Sequence, residues 1–272
     1  PEQLEQVRQQ YGFDRPLIEQ YFKYIINLVQ LDFGISFADD QPAFGLVMER
    51  LGPTMLLTVL SILASLLISV PLGAWLGARP DAAERKLCSA VVYIAQGVPG
   101  FVAGLLLIQI FAVQLRWLPV GTAGPDDIPY WSWGKLKYLV MPAVALGWGP
   151  AAAILRLTRS SMLDVLDAEY ITLARAKGVS SRKVIWKHAF RNAILQPLTV
   201  AALTLAGFIT GAVVIERIFA WPGIGQLTME AVWNNEFPTL TATVLFLTAI
   251  YVVMNLIADI AYVYLNPIIR YD

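Results

Sequence analysis

The sequence predicts an all-α polytopic membrane protein, and three observations carry that prediction. The 272 residues are 57% hydrophobic and only 15% charged, against roughly a half and a quarter in soluble domains, and the mean hydropathy is +0.59. The charges are segregated. They leave five uncharged runs, Leu51–Ala78, Leu87–Leu115, Tyr138–Leu155, Asn192–Ile215 and Phe237–Ala258, each reaching or approaching the roughly 20 residues a helix needs to cross a bilayer. The shorter alternating segments of a membrane β-barrel are absent from the sequence. Net charge is zero, so no global field points to nucleic acid as a partner. The single Cys, Cys88, excludes an internal disulfide, and its surroundings suggest no metal site.

Lys and Arg in the short connections set the orientation. Arg79, Arg85 and Lys86 follow the first run; Arg156, Arg159, Arg175, Lys177, Arg182, Lys183, Lys187 and Arg191 follow the third. The opposite side holds Arg116, Lys135, Lys137 and Arg217. The richer side is cytoplasmic, which leaves residues 1–50 outside. The sequence starts at Pro1 and has no signal peptide to export that segment. The expectation is therefore five spans in this chain, with a sixth, N-terminal span absent and both ends of the six-span chain cytoplasmic.

Taken in order, residues 1–50 read as an extracytoplasmic amphipathic segment. Leu4, Val7 and Tyr11 mark one short helix; Pro16 opens a second, with Ile18, Phe22, Ile25 and Val29 on one face. Such a segment suits either a docking platform or a cover over the bundle. The transmembrane body, residues 51–266, then divides into spans at about 51–78, 87–115, 138–157, 194–215 and 238–264. A cytoplasmic loop at 159–193 and an extracytoplasmic loop at 216–237 separate the later spans, and residues 267–272 form a cytoplasmic tail. In the first span Thr54, Thr58, Ser61, Ser65 and Ser69 recur every three or four residues ahead of Gly73 and Gly77. That stripe permits close helix packing; Thr58, Ser61, Ser65 and Ser69 are also candidates to line a mildly polar path. Pro71 should bend this span. Pro99, flanked by Gly97, Gly100 and Gly104, predicts a kinked second span. The third holds Pro142 and Pro150 with Gly147 and Gly149 between, and Gly207 and Gly211 give the fourth a GxxxG pair.

No ionisable side chain falls at mid-depth in any span. An ion-coupled carrier generally needs one to bind its driving ion, and an intramembrane protease needs an Asp pair, a metal cluster or a nucleophile with its base. The only His, His188, lies in the cytoplasmic loop, and neither HExxH, GxSxG nor a phosphate-binding loop occurs. The chain offers no catalytic residues and no metal ligands. If it moves a solute uphill, the energy comes from another subunit.

The loop "EYITLARAKGVSSRKVIWKHAFRNA", Glu169–Ala193, is the one basic island. Ser161 to Lys177 reads as a helix with Leu163, Leu166, Tyr170, Leu173 and Ala176 recurring at three and four. Asp164, Asp167 and Glu169 sit toward its start and Arg175 and Lys177 toward its end, as the helix dipole favours. Gly178 ends it, and Ser180 or Ser181 can cap a second helix with Val184, Ile185, His188 and Ala189 inward. Ala174, Ala176 and Gly178 leave a thin surface that another protein could grip. A surface helix held by lipid headgroups fits the same residues.

The same stretch, continued through "ILQPL", resembles the EAA loop of ABC importer permeases in the form found in the dipeptide, oligopeptide and nickel group. "YGFDRPLIEQYFKYI", "LDFGISF", "ERIFAWPGIGQL" and "YLNPIIRYD" are similar to other parts of that group, so the resemblance covers nearly the whole chain. Thr172 stands where the general EAA pattern has Glu, and Pro197 lies farther from Gly178, which fits the peptide-group variant. Asn266 and Ile268 stand where the group often has Asp and Arg. The resemblance implies the type I ABC importer permease fold in a bacterial plasma (inner) membrane. It implies that Glu169, Tyr170, Ala174, Arg175, Ala176, Lys177 and Gly178 couple to an ATPase subunit. The partners it implies are a second homologous permease, two cytoplasmic ATPases that bind the ATP and Mg this chain does not, and an extracytoplasmic binding protein. The outer loop, with Glu216, Pro222, Gly223, Gly225 and Gln226, is expected to fold back over the outer mouth facing the binding protein or substrate. Leu227, Met229, Val232 and Trp233 would form its apolar face. Peptides are the implied cargo, with nickel or other metal chelates and glutathione-like molecules as alternatives; a self-contained secondary transporter is the alternative of another class.

Overall fold

Five apolar crossings, two of them broken, assemble around one long helix. The computed structural model describes residues 15–78, 83–121, 124 and 132–265. A short helix α1, Leu17–Val29, precedes α2, Ala43–Ala78. Then come α3, Ala83–Gln96, and α4, Gly100–Leu107, which continues as a π-helical stretch over Ile108–Gln114. The 34-residue α5 runs Trp133–Leu166. The cytoplasmic island contains α6, Glu169–Ala176, and α7, Ser181–Lys183, then a π-helical turn, Val184–Ala189, and α8, Phe190–Ala193. The chain returns through α9, Leu195–Leu203, and α10, Leu205–Phe219, folds back as α11, Ile224–Trp233, and ends in α12, Phe237–Leu265. The expected first helix of the leading segment and the motif "YLNPIIRYD" beyond Leu265 lie outside the described residues.

Three of these helices, α2, α5 and α12, are each long and apolar enough to cross a membrane alone. The second and fourth runs are not single helices. α3 and the α4 segment are bent by 105°, and the α7–α9 and α10 segments by 53°. The first break follows from composition: Pro99 lacks an amide hydrogen and disfavours helix at the residue before it, and Gly97 sits beside it. At the second break Thr204 Oγ1 donates to Ala201 O at 2.9 Å, competing with the helical ladder. Five crossings therefore emerge only when each bent pair counts as one.

The bundle is built on the α2–α5 seam, its most extensive packing. The small residues of α2 make it possible. A Cβ at Gly73 would lie 2.6 Å from Leu155 O and 2.7 Å from the Thr158 Cβ, and one at Gly77 would lie 2.6 Å from the Met162 Cβ. Thr58, Ser61, Ser65 and Ser69 are all buried along the same seam. Ser61 and Ser65 donate to the carbonyls of Leu57 and Ser61, and Ser65 also reaches Gly147 O at 3.1 Å. Within this chain the stripe is an adhesive face. Around the outer half of the seam Leu57, Leu139, Met141, Phe208, Phe219 and Trp221 close the main core. By contrast only 6% of the apolar window of α12 is buried, leaving Val252, Val253, Leu256 and Ile260 bare. α1 buries none of its residues.

Candidate functional site

Two ends of the bundle carry polar architecture. At the cytoplasmic end the island departs from the expected single helix across Ser161–Lys177. α5 runs unbroken to Leu166, the chain turns at Asp167 and Ala168, and α6 restarts at Glu169. The inward face changes with the break. Ile171 has no solvent exposure, whereas Tyr170 and Leu173 are 44% and 56% exposed. Ile171 packs with Met162 and Leu166 of α5, Ala74 of α2, and Val184 and Ala189 of the following turn. The island is thus anchored at once to the cytoplasmic ends of both seam helices.

The turn at Gly178 follows the sequence expectation. Its φ is +76°; its N–H donates to Arg175 O at 3.0 Å and that of Val179 to Ala174 O at 3.2 Å. This pair of bonds is the Schellman arrangement, in which glycine takes the left-handed position. Nothing lies within 4 Å of a Cβ placed there, so backbone conformation alone selects glycine. Glu169, Arg175, Ala176 and Lys177 are exposed and Ala174 is half-buried. Ser180 occupies the N-cap of α7 but makes no side-chain cap bond, contrary to the capping expectation. Val184 and Ala189 are buried and Ile185 and His188 half-buried, matching the inward set. Sequence reasoning missed two features. Asn192 Nδ2 donates to the Tyr170 hydroxyl at 2.9 Å, clamping α6 to the return helix; and Trp186, 47% exposed, stacks edgewise on Phe190.

At the outer end, three of the five residues expected to face the binding protein are packed within this chain. Glu216 is fully buried, and Gly223 and Gly225 are buried with it; Pro222 and Gln226 are half-buried. One carboxylate oxygen of Glu216 accepts from Thr54 Oγ1 at 2.7 Å. The other accepts from the amides of Gly225 at 2.7 Å and Gln226 at 3.2 Å. Thr54 Oγ1 in turn accepts from Ile224 N at 2.8 Å, and Trp221 Nε1 donates to Pro53 O at 2.9 Å. A Cβ at Gly223 would collide with the carboxylate, and one at Gly225 with Val213. The spacing of Glu216, Gly223 and Gly225 thus wraps the re-entrant α11 around a buried carboxyl group and pins it to the outer end of α2. The expected apolar face divides: Leu227 is buried and Met229 half-buried, while Val232 and Trp233 point outward, Trp233 being 70% exposed. Glu236 makes a second tie, accepting from Ser36 Oγ, Ala38 N and Thr239 Oγ1 and joining the leading segment to α12. Among the described residues, no group of three His, Cys, Asp or Glu side chains could hold a metal.

A membrane-spanning bundle with a docked cytoplasmic island and a re-entrant outer helix defines a permease subunit. The chain belongs to the family of binding-protein-dependent transport system inner membrane components, which matches residues 69–271. It is 37% identical to the oligopeptide transport system permease protein AppB of Bacillus subtilis, over 98% of this chain and 85% of that one. It is 36% identical to the glutathione transport system permease protein GsiC of Escherichia coli K12, over 98% and 84%. Among solved structures, inward-facing MetNI methionine ABC transporter superposes with a TM-score of 0.63 at 19% identity, covering 81% of this chain and 96% of the matched one. An amino acid ABC transporter gives 0.57 at 15% identity, covering 80% and 93%. The fold is that of ABC importer permeases, and the chain is a transmembrane component of a binding-protein-dependent transport system in the inner membrane.

Proposed function

We propose that this chain forms half of the translocation path of an ATP-driven importer for peptides and receives the motion of an ATPase through α6 and the Gly178 turn. The observation that carries the reading is the island's construction. Glu169, Tyr170, Arg175 and Lys177 project from a short helix whose opposite side, through Ile171, is sunk into the ends of α2 and α5. A partner that grips the exposed face displaces both seam helices together. ATP and Mg belong to that partner, since this sequence has no phosphate-binding loop. A second permease chain, two ATPases and an extracytoplasmic binding protein complete the assembly. The similarity to permeases named for oligopeptide and for glutathione, itself a modified tripeptide, supports short peptides and peptide-like thiols as cargo.

The test is reconstitution of the assembled importer with its binding protein in vesicles. Uptake of labelled di- to pentapeptides should require ATP and the ATPase subunits. Gly178→Leu, which cannot hold the left-handed turn without strain, should insert normally yet lose substrate-stimulated ATP hydrolysis. Uptake that persists without the ATPases, or stimulation unchanged in Gly178→Leu, overturns the coupling reading. Glutathione uptake without peptide uptake narrows the cargo to the second class.

A further inference from the structure

Between α2, α3 and α5 lies a cavity of about 150 Å³. Its lining is almost wholly hydrocarbon. Ser65 and Ser69 border it, but their hydroxyls donate to backbone carbonyls one turn back, at Ser61 and Ser65. The pocket is open to one side, and its hydrocarbon lining suits an apolar guest.

Its cytoplasmic end has different chemistry. Each lining helix carries its cavity face toward the cytoplasm and ends in a residue suited to a headgroup. On α2, two turns separate Ile68 from Trp75; on α3, two turns separate Val92 from Arg85; on α5, one turn separates Leu155 from Arg159. Both arginines lie beside the cytoplasmic end of α2. The Arg85 guanidinium sits 4.7 Å over the Trp75 ring, and a Cβ at Gly77, two residues beyond Trp75, would lie 3.0 Å from Arg159 O. Nε and Nη1 of Arg85 and Nε of Arg159 are shielded from solvent and have no hydrogen-bond partner. Both arginines are only half-buried overall, so the rest of each guanidinium is open to an anion that would offset the unpaired charge. The other face of α3 is bare hydrocarbon, with Leu87 68% and Ile94 74% exposed, so bilayer lipid reaches the mouth directly.

The geometry points to a phospholipid site: an anionic phospholipid of the surrounding bilayer, its phosphate held by Arg85 and Arg159 at the cytoplasmic interface and part of one acyl chain in the open pocket between α2, α3 and α5. Basic pockets between helices on the cytoplasmic side suit such headgroups. The lipid would wedge α3, which packs only lightly on α2, against the seam.

The test uses the assembled importer, delipidated in mild detergent and followed by native mass spectrometry. The wild-type complex should retain phosphatidylglycerol at concentrations about tenfold below phosphatidylcholine with the same acyl chains. R85Q/R159Q should lose that preference and R85K/R159K recover most of it, while A152L, which fills the cavity, should weaken both lipids alike. Equal retention of the two lipids by the wild type overturns the site. So does an unchanged preference in R85Q/R159Q, or a zero-length cross-link from a cysteine at position 85 to the second permease chain, which would make protein the cover.

Discussion

A carboxylate with no solvent exposure must have its lone pairs occupied, and Glu216 meets that demand with one hydroxyl and two amides drawn from two segments. Removing it by Glu216→Ala leaves Thr54 and the amides of Gly225 and Gln226 without an acceptor. The expected loss is about 3 kcal/mol. It should be read as a melting temperature several degrees lower for the purified complex; an unchanged melting temperature means the carboxylate is not what holds α11. The burial of Glu216 could not be read along the sequence, where it is one charge at the edge of an apolar run. Thr54, its hydroxyl partner, stands 162 residues away. The Gly178 turn was legible, because a charge-graded helix ending in Gly is a local signal.

At the level of elements, the α2–α5 seam depends on glycines that let backbones touch. Gly73→Ala drives a methyl into Leu155 O and Thr158 and should destabilise the bundle by about 1–3 kcal/mol, the scale of overpacking. Detergent unfolding of the purified complex measures it, and a neutral result would show that the seam can relax. The re-entrant α11 gives a different prediction. A cysteine at Trp233, which is 70% exposed, should cross-link to the binding protein, whereas one at buried Gly225 should not; the reverse pattern would mean α11 swings out before docking. The five runs and the break at Pro99 were readable because charge and proline mark them. The break at Asp167 and Ala168 was not: no glycine or proline stands there, and apolar spacing continues from Leu166 to Tyr170 and Leu173 as if the helix did. Only the tertiary burial of Ile171 shows that the face has rotated.

For the whole molecule, the topology follows from segregated charge, while the contacts proposed to carry the coupling depend on tertiary packing. Ile171→Ala should test that transmission. It removes the side chain that fills the space between α6 and the ends of α2 and α5, yet leaves Arg175, Lys177 and the Gly178 turn intact. The expected outcome is an ATPase that still binds and hydrolyses ATP, with uptake per ATP clearly reduced, while the truncation costs ~2–5 kcal/mol of local packing. Undiminished uptake per ATP would mean the thrust enters by another route.

α5 is unbroken for 34 residues, about 50 Å at helical rise, longer than the hydrocarbon thickness of a bilayer. Its lower half is locked to α2 at Gly73 and Gly77, and its upper half lies in the core with Trp221, the neighbour of the α11 fold-back. Such a rod is a rocker arm. A tilt of ten degrees about its middle carries each end roughly 4 Å, in opposite directions, by the length that helical rise gives it. If the island receives the thrust proposed above, one nudge there would shift both mouths of the path at once, in opposite senses.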